Sequence, residues 1–164
     1  MTFWQFKQWL KFKFGKPKPG YIREIVIEST WKRVSIYKGA KVYREQADKV
    51  SEIERNLFAA RWLEAEVKNG GFGQFYSNPT GVVVHDAIKG YETIGMKKTS
   101  ILIASTKEKK SGAKGADDEF YGLIDKENGG FDKAADQYVL DNLKALNPFL
   151  RWRVKRIARG LKLI

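Results

Sequence analysis

The most regular pattern in the chain lies at its C-terminal end, where Leu150, Val154, Ile157, Leu161 and Ile164 recur at steps of four, three, four and three. At about 100° per residue these positions fall within an arc of roughly 80°, which predicts an amphipathic helix after Asn147-Pro148. Arg151, Lys155, Arg156, Arg159 and Lys162 take the opposite side with Trp152, and Arg153 adds a sixth cation. A second clear start is Ser51-Glu52-Ile53-Glu54, since Ser51 can cap the amide three residues on while Glu54 reaches back. Ile53, Leu57, Ala60, Leu63 and Val67 continue at helical spacing until Asn69-Gly70-Gly71, where a stop is expected, with Phe72 packing back on the last turn.

The remaining elements follow from the same periodicity. Phe72, Phe75 and Tyr76 predict a short helical turn closed by Asn78-Pro79-Thr80-Gly81. Helices are expected over about 82–94, ended by Gly95, over 98–109, and from Asp117 to about Glu127. The stretch 110–116 reads as a loop, and Asp117-Asp118-Glu119 suits the positive end of the helix that follows. Asn128-Gly129-Gly130-Phe131 repeats the earlier turn, Asp132 is a cap candidate, and a helix is expected to about Leu146. Over 21–38, Ile22, Ile25, Val26 and Ile27 favour a strand by propensity, whereas Ile22, Val26, Thr30, Val34 and Tyr37 are spaced for a helix. A helix is expected there. Thr2 to Phe14 reads as a short helix with Phe3, Phe6, Leu10 and Phe14 on one side and Trp9 at its margin, and 15–20 as a Gly/Pro/Lys linker.

Charge divides this chain into three. The 164 residues carry 31 Lys and Arg against 19 Asp and Glu, a net +12. Residues 1–44 hold +9, residues 45–146 hold −3, and residues 147–164 hold +6 with no acid at all. Only the two ends therefore call for an anionic partner. With 43% hydrophobic and 13% aromatic residues the middle can form a real core. The organisation read from this is an aromatic-basic arm and linker over 1–20, an all-α, compact helical domain over 21–146, and a basic amphipathic helix over 147–164.

Chemistry is narrowed by what is scarce. No Cys is present, which removes thiol nucleophiles and Cys-based metal sites. The single His85 cannot assemble a His-rich centre, and beside Asp86 in a helix it points elsewhere. Asp117-Asp118-Glu119 reads as a dipole complement before a metal site. Carboxylate pairs for a hydrolase are available anywhere among nineteen acids, and nothing singles one out. No catalytic residue, metal, cofactor or small-molecule substrate is expected. No window approaches the roughly 20 apolar residues of a membrane span, and no secretory leader is visible, so a cytoplasmic location is expected.

The run Glu54 to Gly81 carries a longer motif: Trp62, Leu63, Glu66, Val67, Asn69, Gly70, Gly71, Phe72, Gln74, Phe75, Tyr76, Asn78 and Gly81, followed by Ala87, Tyr91, Ile94 and Gly95. In these positions the chain resembles a bacterial DNA-mimic-type domain family of unknown function, over about 21–146, with the two basic ends outside it. The resemblance implies an all-helical domain with no known catalytic activity. It also implies a protein partner, because the characterised branch is strongly acidic and occupies DNA-binding surfaces of regulatory proteins. A surface that imitates DNA needs dense negative charge. Here the middle carries only −3.

Two sets of binding residues are expected. Glu66, Asn69, Gln74 and Asn78 form a possible polar groove around the Gly-Gly turn, against the plainer reading that they satisfy backbone groups. Lys7, Lys11, Lys13, Lys16, Lys18, Arg151, Arg153, Lys155, Arg156, Arg159 and Lys162 form an anion-binding set, with Phe3, Trp4, Phe6, Trp9, Leu10 and Trp152 facing a membrane. The plainer reading of each end is that it packs its apolar side on the domain. The function expected is a non-catalytic binding protein. Its domain recognises another protein and its ends dock on an anionic surface, the inner membrane face before nucleic acid.

Overall fold

Ser51 and Glu54 set the start of the longest helix. The Ser51 side chain accepts the Glu54 amide and the Glu54 carboxylate accepts the Ser51 amide, so the expected capping box is formed. Glu54 is buried and paired to Arg33, which ties the helix start to the preceding loop. The computed structural model describes residues 18–109 and 115–164. Among the described residues there are eight α-helices, three short 3-10 turns and no strand. The helices are α1 (Tyr21–Trp31), α2 (Ala40–Ala47), α3 (Glu52–Ser77), α4 (Val84–Thr93), α5 (Lys97–Lys109), α6 (Ala116–Ile124), α7 (Phe131–Asp141) and α8 (Pro148–Gly160). The expected helix over 2–14, residues 15–17 of the linker and residues 110–114 of the loop lie outside the described residues.

α3 is the axis of the fold. α1, α4 and α6 pack on it; α5 lies against α4 and α6, and α7 and α8 cover α1. At the core, Phe72 meets Phe120 edge to face with centroids 5.5 Å apart, and Tyr91 meets Phe120 at 6.2 Å and Phe131 at 5.3 Å. All four rings are buried, and the Tyr91 hydroxyl donates to the Ala60 carbonyl at 3.1 Å. Close approach of α4 to α3 depends on Gly90, where a Cβ would stand 2.5 Å from the Asn56 carbonyl oxygen.

The Gly-Gly stop is a break inside α3. Gly71 takes φ 76°, ψ 178°, a conformation open only to glycine, after which the helix restarts with Phe72 buried. Gly130 adopts nearly the same angles, φ 90° and ψ 155°, ahead of buried Phe131. The two similar turns are thus the same device used twice: a glycine that swings an aromatic ring into the core.

Several helix starts are capped from a distance. The restarted amide of Phe72 donates to Asp117 Oδ1 at 2.8 Å, across from the first turn of α6. At the head of α1, the amides of Gly20 and Arg23 both donate to Asp136, at 2.8 Å each. Burial pushes the Asp136 carboxyl above its ordinary range despite those two bonds. At α5, the Lys98 and Thr99 amides and the Thr99 hydroxyl donate to Glu127 at 2.6–2.9 Å. Burial works to raise the Glu127 carboxyl, yet the bonds from Thr99 and Lys98 prevail and hold it below its ordinary value.

Some expectations are corrected. The helix over 21–38 ends at Trp31, and Lys32 to Gly39 form turns in which Val34 and Ile36 still reach the core. Thus the long helical spacing read there mixed a helix with a loop. α2 follows, with only Tyr43 and Ala47 buried, too few to show in the pattern. Asp132 does not cap α7; Gly130 holds the cap position and Asp132 pairs with buried Arg23. The helix expected to Leu146 stops at Asp141 and passes through a 3-10 turn, Leu143–Ala145.

Two outcomes follow from the breaks and caps. Gly71→Ala places a side chain at positive φ and against the Asp117 carboxylate, and should cost about 1–3 kcal/mol in chemical denaturation. Glu127→Gln should lower stability at neutral pH by about 0.5–2 kcal/mol. Because the folded carboxyl lies below its unfolded value, this contribution is present above the ordinary carboxylate pKa. It is lost as pH falls through the folded pKa, so thermal midpoints of the two proteins should converge in acid.

Candidate functional site

Helix α8 begins where the sequence placed it. Asn147 Oδ1 accepts the Leu150 amide at 2.9 Å, and Pro148 occupies the first helical position. Leu150, Val154 and Ala158 are fully buried, and Ile157 and Leu161 pack at the margin of the same core. The apolar side of this helix is therefore packed structure. Ile164 leaves the stripe because the chain turns off in the left-handed conformation at Lys162, with Leu163 bonding back to the Ala158 carbonyl. Ile164 is exposed.

The opposite side of α8 carries a second stripe, at Phe149, Trp152, Arg156 and Arg159. Phe149 is 65% and Trp152 54% exposed, and their rings lie 6.2 Å apart at 31°. The Arg156 guanidinium sits 4.8 Å over the Trp152 ring. Arg151, Trp152, Lys155, Arg156 and Arg159 line an open surface cleft of about 530 Å³. Lys155, Arg156, Arg159 and Lys162 have no acidic partner within ion-pair distance among the described residues. What this face can do is hold an anion beside an exposed aromatic edge.

Two members of the expected anion-binding set are committed elsewhere. The Arg151 guanidinium donates to the carbonyls of Leu143, Lys144 and Leu146 at 2.8–3.0 Å, closing the turn before α8. Arg153 pairs with Glu28 at 3.2 Å and fastens α8 to α1. Lys18 is exposed at the edge of the described region. Lys7, Lys11, Lys13 and Lys16, with Phe3, Trp4, Phe6, Trp9 and Leu10, lie outside the described residues.

The polar residues around the Gly-Gly turn are brought together, but on one another. Asn78 Nδ2 donates to Glu66 Oε2 at 2.8 Å and Gln74 Nε2 reaches the same oxygen at 3.4 Å, stapling the two halves of α3 across the break. Asn69 is exposed and stands outside this staple. Periodicity alone missed a network at a smaller cleft of about 170 Å³, where the Tyr43 hydroxyl donates to Asp86 at 2.6 Å and Arg55 joins Asp86 to Asp48. Those groups come from three elements at wide sequence separation, so no local motif announces them. His85 is exposed at its rim, 3.4 Å from Lys107 Nζ. Among the described residues no group of three or more metal-ligating side chains converges, and no helix is long and apolar enough to cross a membrane.

Fold and surface together define an all-α protein that spends many of its acids on internal bonds and shows unpaired cations along its last helix. The chain belongs to the DMP19-like family, a family of DNA-mimic proteins, whose model matches residues 48–156. No curated protein and no solved structure matches it. The match covers the Gly-Gly break and the core aromatics, but its bounds differ from the expected 21–146: it takes in the first turns of α8, and α1 and α2 precede it. The matched segment holds 18 Lys and Arg against 16 Asp and Glu, a balance of +2.

The two kinds of arginine on α8 should separate by stability. Arg151→Ala removes bonds to three carbonyls and should cost about 1.5–3 kcal/mol. Arg156→Gln and Arg159→Gln should stay within about 0.5 kcal/mol of the parent, as read by urea unfolding.

Proposed function

We propose that this chain is a non-catalytic binding protein of the cytoplasm, whose helical domain recognises another protein and whose basic ends dock on an anionic surface. Family membership supports the protein-binding half, since DNA-mimic proteins act by occupying a partner's surface. The partner here is not held by literal mimicry of DNA. Such mimicry needs a dense array of free acids. In this fold Asp117, Glu127 and Asp136 hold backbone amides, and Glu24, Glu28, Glu52, Glu54, Glu64, Asp86, Asp125 and Asp132 are paired to Lys or Arg.

The observation that carries the second half is the outer face of α8: four unpaired cations beside two exposed aromatic rings, in a segment without a single acid. An anionic phospholipid surface suits it better than nucleic acid. Trp152 already has a guanidinium over its ring, which a stacking base would displace, whereas the headgroup region accepts a Trp–Arg pair as it stands. The face also has no Asn, Gln, Ser or Thr from residue 149 onward to read base edges.

Co-sedimentation of the full chain with vesicles of phosphatidylglycerol and phosphatidylcholine tests this. Binding should be strong on anionic vesicles, absent on pure phosphatidylcholine, and roughly thirtyfold weaker for Arg156→Gln/Arg159→Gln, at about 1 kcal/mol per cation. Duplex DNA binding with a steep salt dependence and no vesicle binding would transfer the face to nucleic acid.

A further inference from the structure

Away from α8, the described residues hold a second exposed aromatic cluster that the helical pattern did not flag. Trp31 ends α1 and is 53% exposed; Tyr37, in the loop that follows, is 65% exposed. Both lean on half-buried Trp62 of α3, with centroids 5.1 Å and 6.0 Å away and rings crossed at 63° and 90°. Phe58 lies 6.3 Å from Trp62 and anchors the group to the core.

The loop presenting Tyr37 is held rather than loose. Val34 and Ile36 are buried, the Ser35 amide donates to Gln46 Oε1 at 2.8 Å, and Arg33 pairs with buried Glu54. Two large apolar rings are thus kept in water by a rigid frame, which costs free energy unless something covers them. The charges around them are mostly cationic. Lys32, Lys38 and Lys41 are exposed, and Lys38 has no ionic partner among the described residues. The neighbouring acids are matched: Glu28 by Lys32 and Arg153, Glu45 by Lys41, and Glu54 by Arg33.

The Glu28–Arg153 pair links α1 to α8, and Trp31 and Lys32 lie one turn beyond Glu28. We infer that Trp31 and Tyr37 are a second bilayer anchor, entering the headgroup region of the anionic phospholipid surface that α8 contacts, with the unpaired Lys38 beside Tyr37 meeting a lipid phosphate. This rests on the membrane reading of α8 and extends it to Trp31 and Tyr37, which precede the family-matched segment. Trp and Tyr suit the role, because an amphipathic ring is at home between hydrocarbon and water. Cationic flanks argue against the chain's own N-terminal segment as the cover, since that segment brings Lys7, Lys11 and Lys13.

The test uses the full chain and vesicles of equimolar phosphatidylglycerol and phosphatidylcholine. Trp31→Ser/Tyr37→Ser should weaken partitioning about tenfold while the variant remains folded, its thermal midpoint lowered by a few degrees through the lost contacts to Trp62. A second readout holds if that variant unfolds: lipids brominated near the headgroup should quench the parent's Trp fluorescence, and Trp31→Phe should bind as well while losing part of the quenching. Unchanged partitioning and unchanged quenching, with Arg156→Gln/Arg159→Gln still weakened, would overturn the second anchor and leave α8 standing. No vesicle binding by the parent would overturn both. A loss of duplex DNA affinity in place of vesicle affinity would overturn the anchor and assign the cluster to nucleic acid.

Discussion

The fold depends on carboxylates that reach across the chain to hold the amides at helix starts. A helix start buried without partners for its first amides is costly, and α1, the restarted half of α3, and α5 each lack a local cap for theirs. Asp136, Asp117 and Glu127 supply it, and each also fixes the distance between two elements. The broken α3 is the clearest case. Gly71 can turn Phe72 into the core because the freed amide finds Asp117 on α6, and Phe72 then meets Phe120 of the same helix. One backbone bond and one ring contact join the same pair of elements.

That use of acids shapes what the surface shows. The family-matched segment is close to neutral in formal charge, yet its acids are largely engaged with amides and guanidinium groups, so they do not form a free anionic array. Cations are less constrained. Arg23, Arg33, Arg55, Arg151 and Arg153 are structural, while Lys155, Arg156, Arg159 and Lys162 remain on the outside of α8. In this chain the caps and ion pairs take up most of the acids, and the unpaired cations of α8 dominate the surface that remains.

Much of the architecture is legible in the sequence. The capping box at Ser51, the glycine stops, the acidic start of α6 and the four-three spacing of α8 each depend on residues within a turn or two of one another. The site is legible only in part. Arg151 and Arg153 look like Arg156 in a helical projection, but carbonyls at 143–146 and a carboxylate on α1 claim them. Glu66, Gln74 and Asn78 are adjacent as the motif suggests, and their partners proved to be one another. Exposure of Trp31 and Tyr37 was hidden because a helix and a loop shared one hydrophobic spacing. Local pattern fixes elements, whereas long-range contacts decide which charged groups are left over.

The account is tested most directly by two-dimensional NMR of the full chain on phosphatidylglycerol-containing bicelles doped with a headgroup spin-labelled lipid. It predicts strong broadening of the Trp152 indole N–H and of the Arg156 and Arg159 side chains, with the amides of buried Leu150 and Val154 less affected. Sharp Trp152 and arginine signals, unchanged by the spin label at saturating lipid, would contradict it.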